Sequence, residues 1–227
     1  MVRLDGFTVT RATVALNLSI LMQWSSLLFV PAIYSVLSDD LGFTQAELGL
    51  LLSSRLFTMF CSLPLYAWMS YYRPRNEVLG ISVFLSFVTN LLNIYTRSYS
   101  SFLIVNIMTG FFLGGVVPVG RSLIPIYYRL EERGRQYGYF ELSSGVGGFV
   151  GCLVAAMVIM RSYDGLEQWQ MVYFIIAVMT IPVMFAVMLF VADPIEDPEL
   201  KKYTSKTLMS YFKGLEERGE TVPSKED

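Results

Sequence analysis

Apolar residues fall in six long blocks separated by short polar breaks, at residues 13–37, 47–71, 78–96, 102–128, 137–160 and 170–191. Each is longer than an ordinary core helix and reaches the roughly 20 residues a helix needs to cross the hydrocarbon of a bilayer. Each block therefore predicts a transmembrane α-helix. The breaks carry recognisable punctuation. Ser38-Asp39-Asp40-Leu41-Gly42 ends the first block, and Gln45-Ala46-Glu47 opens the second with an acid in its first turn. Arg73-Pro74-Arg75-Asn76 parts the second from the third, and the charged stretch 129–135 parts the fourth from the fifth. Ala192-Asp193-Pro194 ends the sixth. The chain divides into an amino-terminal segment (1–12), a six-helix bundle (13–192) and a charged tail (193–227).

Composition agrees with that class. Of 227 residues, 54% are hydrophobic and only 16% charged, where a soluble domain carries about 25% charged. Six spans leave no length for a soluble catalytic domain, and a net charge of −2 without a basic block gives no reason to expect a nucleic-acid partner. With no histidine, His-ligated haem, His-based zinc and Ser–His chemistry are excluded. Cys61 and Cys152 lie inside apolar blocks and read as packing residues. No enzyme activity and no cofactor is expected.

Charge asymmetry gives an orientation. Lys and Arg number thirteen in the amino terminus, the loops at 72–77 and 129–136 and the tail, against two, Arg97 and Arg161, on the other face. The positive-inside rule then expects both termini in the cytoplasm. Trp68, Tyr71, Tyr72, Tyr127, Tyr128, Trp169 and Tyr173 lie near block ends and read as interfacial belts.

At an offset of 94 residues the chain overlays itself: Pro31-Ala32-Ile33-Tyr34 meets Pro125-Ile126-Tyr127-Tyr128, and Glu47-Leu48 meets Glu141-Leu142. A repeat of three spans places the second copy upside down, the arrangement of many secondary transporters.

Three features carry a family resemblance. One is the entry to the second span, Leu41-Gly42-Phe43-Thr44-Gln45-Ala46-Glu47-Leu48-Gly49-Leu50-Leu51. Another is the run from Gly110 to Gly151, with GFFLGG, Pro118, Glu131-Glu132-Arg133-Gly134-Arg135, Gly138 and SSGVGGFVG. The last is the six-span count. Together they resemble the amino-terminal half of a major facilitator superfamily transporter. The resemblance implies a 3+3 inverted repeat and movement of a small polar solute by alternating access. The departures are also plain. The family's loop signature, approximately G-x-L-x-D-R-x-x-R, aligns here with Ala67, Met69, Tyr71, Tyr72 and Arg75, so only the last basic residue survives. A complete member has two such halves. The chain is therefore expected to act with a second six-helix half or as a homodimer, with lipid and a small solute as its other partners. A transporter-derived membrane scaffold or subunit is the alternative.

The site candidates follow. Arg55 sits eight residues into the second span, with Thr58 and Ser62 continuing its stripe. A charge at that depth usually faces a bundle interior or a watery cavity. It either binds an anion or gates, or else it snorkels or pairs structurally. Arg121 lies in the fourth span, which in the resembled fold lines the central cavity with the first. The resemblance makes it a candidate for an anionic or carbonyl-bearing substrate, with snorkelling as the alternative. Neither arginine has an evident acid inside the membrane, which tilts the expectation toward an anionic solute. Asn17 and Gln23 are candidate cavity hydrogen-bonders or helix–helix glue. Asn90 and Asn93 read as packing. Glu141 opens the fifth span and either joins Arg75, Arg133 or Arg135 in a gate or is an ordinary first-turn acid. Gly110/Gly114 and Gly147/Gly151 predict close helix contacts. Pro31, Pro118 and Pro125 predict kinks. In the tail, Tyr203, Leu208, Tyr211, Phe212 and Leu215 recur at helical spacing among lysines, as in a short amphipathic helix.

Overall fold

The computed structural model describes residues 6–161 and 167–191, with side chains from Val9 onward. The described residues form helices and no strands: α1 (Gly6–Ala32), α2 (Tyr34–Leu41), α3 (Gln45–Tyr72), α4 (Arg75–Tyr95), α5 (Tyr99–Leu113), α6 (Val116–Tyr127), α7 (Leu130–Ile159) and α8 (Gln168–Phe190). They make six segments long and apolar enough to cross a membrane, α5 and α6 together forming the fourth. The expected tail helix lies outside the described residues.

Local chemistry sets most of the ends. Gly42, at φ +69°, closes α2 in the left-handed conformation that glycine tolerates, its N–H donating to the Ser38 carbonyl at 3.1 Å. Thr44 caps α3 in a reciprocal box: its hydroxyl accepts from the Glu47 N–H while the Glu47 carboxylate accepts from the Thr44 N–H at 2.8 Å. Arg73 and Pro74 separate α3 from α4.

Three boundaries depart from expectation. The first span starts earlier, at Gly6, and breaks at Ile33, two residues after Pro31 removes a backbone donor. The fourth breaks at Gly114-Gly115, because Pro118 cannot donate to the Gly114 carbonyl and its ring crowds that turn. The charged stretch 129–135, read as a loop, is largely the first turns of α7. Glu131 and Glu132 suit a helix amino terminus, whereas hydropathy reports only that they avoid lipid. Glu141 is accordingly well inside α7 rather than at its start.

Water does not drive helices together inside a bilayer, so close packing and small residues must. α1 lies along α7, and α3 along α5. Gly147 and Gly151 of α7 receive the backbone of Leu21 and Ser25 of α1, so closely that a Cβ at either glycine would overlap it. Gly110 and Gly114, at the end of α5, receive the backbone of Arg55 and Met59 in the same way. The Ser25 hydroxyl donates to the Gly147 carbonyl at 2.6 Å across the first contact. α4 and α8 form a further close pair, tied at one end by Gln170 Nε2 donating to the Ile94 carbonyl at 2.6 Å. Large apolar side chains such as Phe57, Phe60, Phe149 and Phe185 point outward, as a lipid-facing surface does.

The interior has three layers. One apolar cluster, with Leu16, Val83, Leu123, Phe140 and Val187, fills the arginine-rich end. Another, with Phe29, Leu48, Phe102, Trp169 and Tyr173, fills the opposite end. Trp169 and Tyr173 are fully buried in it, so they are core residues and not the interfacial belt their sequence position suggested. Between the clusters lies a polar layer.

Candidate functional site

The polar layer is built around Arg55, which is 0% exposed despite its charge. Helix α3 aims it inward, where Nη2 donates to the Ser26 hydroxyl of α1 at 2.8 Å and Nη1 to Asn106 Oδ1 of α5 at 3.5 Å. Asn90 Nδ2 of α4 also donates to Ser26, at 3.1 Å. Asn106 Nδ2 donates to Asn93 Oδ1 at 3.4 Å. Four spans are thus joined through one guanidinium. Asn90 and Asn93 are buried between helices, and they bond Ser26 and Asn106, the two side chains that accept from Arg55.

Arg55 therefore lies inside the six-helix bundle and not on its outer face. Thr58 and Ser62 do not extend a path from it. The Thr58 hydroxyl bonds carbonyls of α3 and the Ile107 carbonyl, and Ser62 bonds Met59, both at the contact with α5. Gln23 is buried too, its Nε2 touching Met59 Sδ at 3.6 Å and its Oε1 without a partner. It borders a small cavity lined by Ser19, Ser26, Ser86 and Thr180 together with the apolar Met22, Val83, Leu113 and Val116, whose open volume of about 10 Å³ is close to one water. Asn17 is half-buried on α1 and makes no side-chain hydrogen bond among the described residues.

Sequence reasoning missed Asn106 and misplaced Tyr173. A signal existed for Asn106: Phe102, Asn106, Thr109, Gly110 and Leu113 repeat at helical spacing and all are buried.

Replacing Asn106 by Leu removes the Nη1 acceptor and leaves buried donors unpaired, so a destabilisation of about 1–2 kcal/mol is expected. The double variant Arg55→Met/Asn106→Leu, with both polar partners gone, should recover most of it. Unfolding in detergent–denaturant mixtures checks this, and a double variant weaker than Asn106→Leu alone would contradict it.

Arg121 has the opposite environment. On α6 it faces outward and meets Glu141 of α7, Nη2 to Oε1 at 2.5 Å, with the two side chains 53% and 52% exposed. The Tyr137 hydroxyl donates to the Arg121 carbonyl at 3.2 Å and holds the same corner. Arg121 thus has an acid partner after all, one that 20 residues of sequence and the turn between two antiparallel helices had separated. Glu141 in turn pairs with Arg121 and with none of the cations expected for it. Arg133 instead donates to the carbonyls of Tyr128 at 3.1 Å and Pro125 at 2.8 Å, capping the end of α6. Arg135 stands 3.9 Å from Glu132 on its own helix. Arg75 opens α4 at the same end of the bundle.

The outward corner on α6 and α7 can do two things chemically. A half-exposed guanidinium can accept an anion, and an adjacent carboxylate can be displaced by it. The described residues contain no group of His, Cys, Asp and Glu able to hold a metal ion.

A family model described as Major Facilitator Superfamily matches residues 15–219. The chain is similar to the probable L-galactonate transporter of Escherichia coli (strain K12), 26% identical over 132 residues, 56% of this chain and 28% of that one. It is also similar to the glycerol-3-phosphate transporter of Bacillus subtilis (strain 168), 25% identical over 186 residues, 78% of this chain and 41% of that one. Its fold is similar to that of a bacterial homolog of the human lysosomal transporter Spinster, inward-facing and unoccupied, with a TM-score of 0.72, 16% identity, and coverage of 82% of this chain and 43% of that one. The inward-open xylose transporter of E. coli gives a TM-score of 0.71 at 14% identity, covering 88% of this chain and 52% of that one. The chain spans less than half the length of the curated relatives it matches.

Proposed function

The chain belongs to the Major Facilitator Superfamily, and we propose that it is the amino-terminal six-helix half of a secondary transporter for a small anionic solute. The observation that carries this reading is the half-exposed Arg121–Glu141 pair on a face that the rest of the bundle leaves uncovered. In the proposal a second six-helix half, or a second copy of this chain, faces that surface. The solute's carboxylate or phosphate exchanges with Glu141 for the Arg121 guanidinium, and Asn17 on α1 contributes a hydrogen bond. The names of two relatives, a galactonate and a glycerol-3-phosphate transporter, are those of anionic solutes and favour this class.

Alternating access then consists of rocking one half against the other. The chain's part is to move as a body, which the Arg55 network joining four spans supports. The packing pairs also favour a 3+3 inverted repeat. Exchanging the first three spans for the last three carries the first–fifth contact into the fourth–second, and the first–sixth into the fourth–third. In the proposal both termini face the cytoplasm, the side to which the positive-inside rule assigns the arginine-rich loops. Arg75, Arg133 and Arg135 lie at that end and are the proposed cytoplasmic gate, Arg133 acting by fixing the end of α6. The lost acid of the loop signature, Tyr71, removes the usual charge pair from it.

The test is uptake. Protein isolated from its native membrane with its partners, and reconstituted into liposomes, is expected to take up labelled glycerol 3-phosphate or galactonate saturably and to ignore neutral xylose. Preference for xylose would overturn the anionic reading. An active assembly lacking any second six-helix half or second copy would overturn the half-transporter reading.

A further inference from the structure

The end of α3 carries a notch lined by Trp68, Met69, Tyr72 and Arg73, with about 400 Å³ of open space. That volume lies within the range of roughly 300–1,000 Å³ of ordinary ligand sites. The four residues stand at i, i+1, i+4 and i+5, so one helix face presents them in two layers a turn, about 5.4 Å, apart. The inner layer is Trp68 and Met69, and Met69 packs against the apolar cluster of the arginine-rich end. The outer layer is Tyr72 and Arg73, where the chain leaves the helix before Pro74. The Tyr72 ring stands edge-on to the rings of Trp68 and Tyr71, with centroids 5.1 Å from each. Trp68 is 61% exposed and Tyr72 66%, so no other described helix covers the notch. Arg73 is exposed, and among the described residues only its backbone is bonded, the N–H donating to the Met69 carbonyl at 2.9 Å. Residues 65–75 contain no Asp or Glu, and Tyr71 stands where the family's loop signature has its acid. Glu77 opens α4 without pairing with Arg73.

We infer that this notch binds an anionic phospholipid from the leaflet at the arginine-rich end. The lipid's phosphodiester accepts from the Arg73 guanidinium and the Tyr72 hydroxyl. Its glycerol and first acyl carbons lie along Trp68 and onto Met69. The notch is apolar at its inner turn and cationic at its outer turn, and a lipid in a bilayer is amphipathic in the same direction. A free phosphate ion matches Arg73 but leaves Trp68 and Met69 uncovered. A zwitterionic lipid brings its own cation toward Arg73, whereas an anionic one presents its charge unopposed. The site needs only that α3 crosses a membrane, as its length and composition allow. It is separate from Arg121 and does not depend on the transport reading.

The test is fluorescence quenching of Trp68 in phosphatidylcholine nanodiscs that hold the chain with any partner it carries. Either phosphatidylglycerol or phosphatidylcholine, brominated high on the acyl chain, is titrated in at equal mole fractions. The Trp68 signal is taken as the difference from Trp68→Phe, and Trp169, fully buried, contributes little quenching of its own. Brominated phosphatidylglycerol should reach half-maximal quenching at a mole fraction about fivefold lower than brominated phosphatidylcholine, the gain from one interfacial arginine. Arg73→Gln should erase that difference, and Arg73→Lys should keep most of it. Neither variant should lower Tm, because the Arg73 side chain bonds nothing among the described residues. Equal midpoints for the two lipids in the unaltered chain would overturn the inference. A preference that survives Arg73→Gln would do the same. Absence of Trp68 quenching by either lipid would overturn it in favour of a protein occupant. Loss of the preference on adding inorganic phosphate at constant ionic strength would overturn it in favour of a free anion.

Discussion

Replacing Arg121 by alanine should reduce solute uptake by about 100-fold while leaving the amount and the melting temperature of the membrane protein nearly unchanged. The size is that of losing the guanidinium from an ion pair with the solute once the site is closed from water, about 2.8 kcal/mol at about 1.4 kcal/mol for each tenfold. The unchanged stability follows from exposure. An ion pair with both side chains about half exposed adds little to folding, roughly 0–1 kcal/mol. Arg121→Lys should be only partly active, since an ammonium keeps the charge but loses the bidentate fork. Glu141→Gln moves in the other direction for binding. It removes the carboxylate that competes for Arg121, so the solute should bind several-fold more tightly, measurable by isothermal titration. Uptake that survives Arg121→Ala undiminished would remove this residue from the solute site.

The largest structural effect is expected at the glycine contacts. Gly151→Val should lose the folded bundle, or destabilise it by at least about 3 kcal/mol, the upper range for forced overpacking. The obstruction is the Ser25 backbone of α1, with which even a Cβ would overlap. Backbone cannot rotate aside as a side-chain tip does, so α1 and α7 must separate. Separation breaks the Ser25-to-Gly147 hydrogen bond and opens the most extensive helix contact among the described residues. Gly145 supplies the control. It is on the same helix with nothing within 4 Å of an added Cβ, so Gly145→Ala should be neutral or slightly stabilising through helix propensity. Denaturant unfolding in mixed micelles compares the two. Equal effects at the two positions would show that glycine acts through the helix itself and not through the contact.

These two sites differ in how far the sequence announces them. The small-xxx-small spacing of Gly147 and Gly151 is visible in the chain, because one helical face recurs every three to four residues. Which helix fills that face is not, and Leu21 and Ser25 carry no mark of it. The two arginines show the same limit more sharply. Both stand at similar depth in an apolar block, and hydropathy treats them alike. Arg55 turns inward because Ser26 of α1 and Asn106 of α5 accept from it, with Asn90 of α4 bonded to the same Ser26 hydroxyl. Arg121 turns outward because Glu141 stands beside it across the α6–α7 turn.

The class, the number of spans, most of their ends and the family resemblance are legible in the chain of residues alone. The reason is that membrane insertion is a local constraint: each helix must satisfy its own backbone and present about 20 apolar residues to lipid. Caps and breaks, such as Thr44, Gly42 and the Arg73-Pro74 pair, are local too, and they too could be read. Which polar residues meet is settled by the packing of the helices. It buried Arg55 without an acid, gave Arg121 to Glu141, spent Arg133 on the end of α6, and placed Tyr173 in the core. Those pairings depend on which faces of separate helices touch, and the spacing of residues along one helix fixes a face without naming its neighbour.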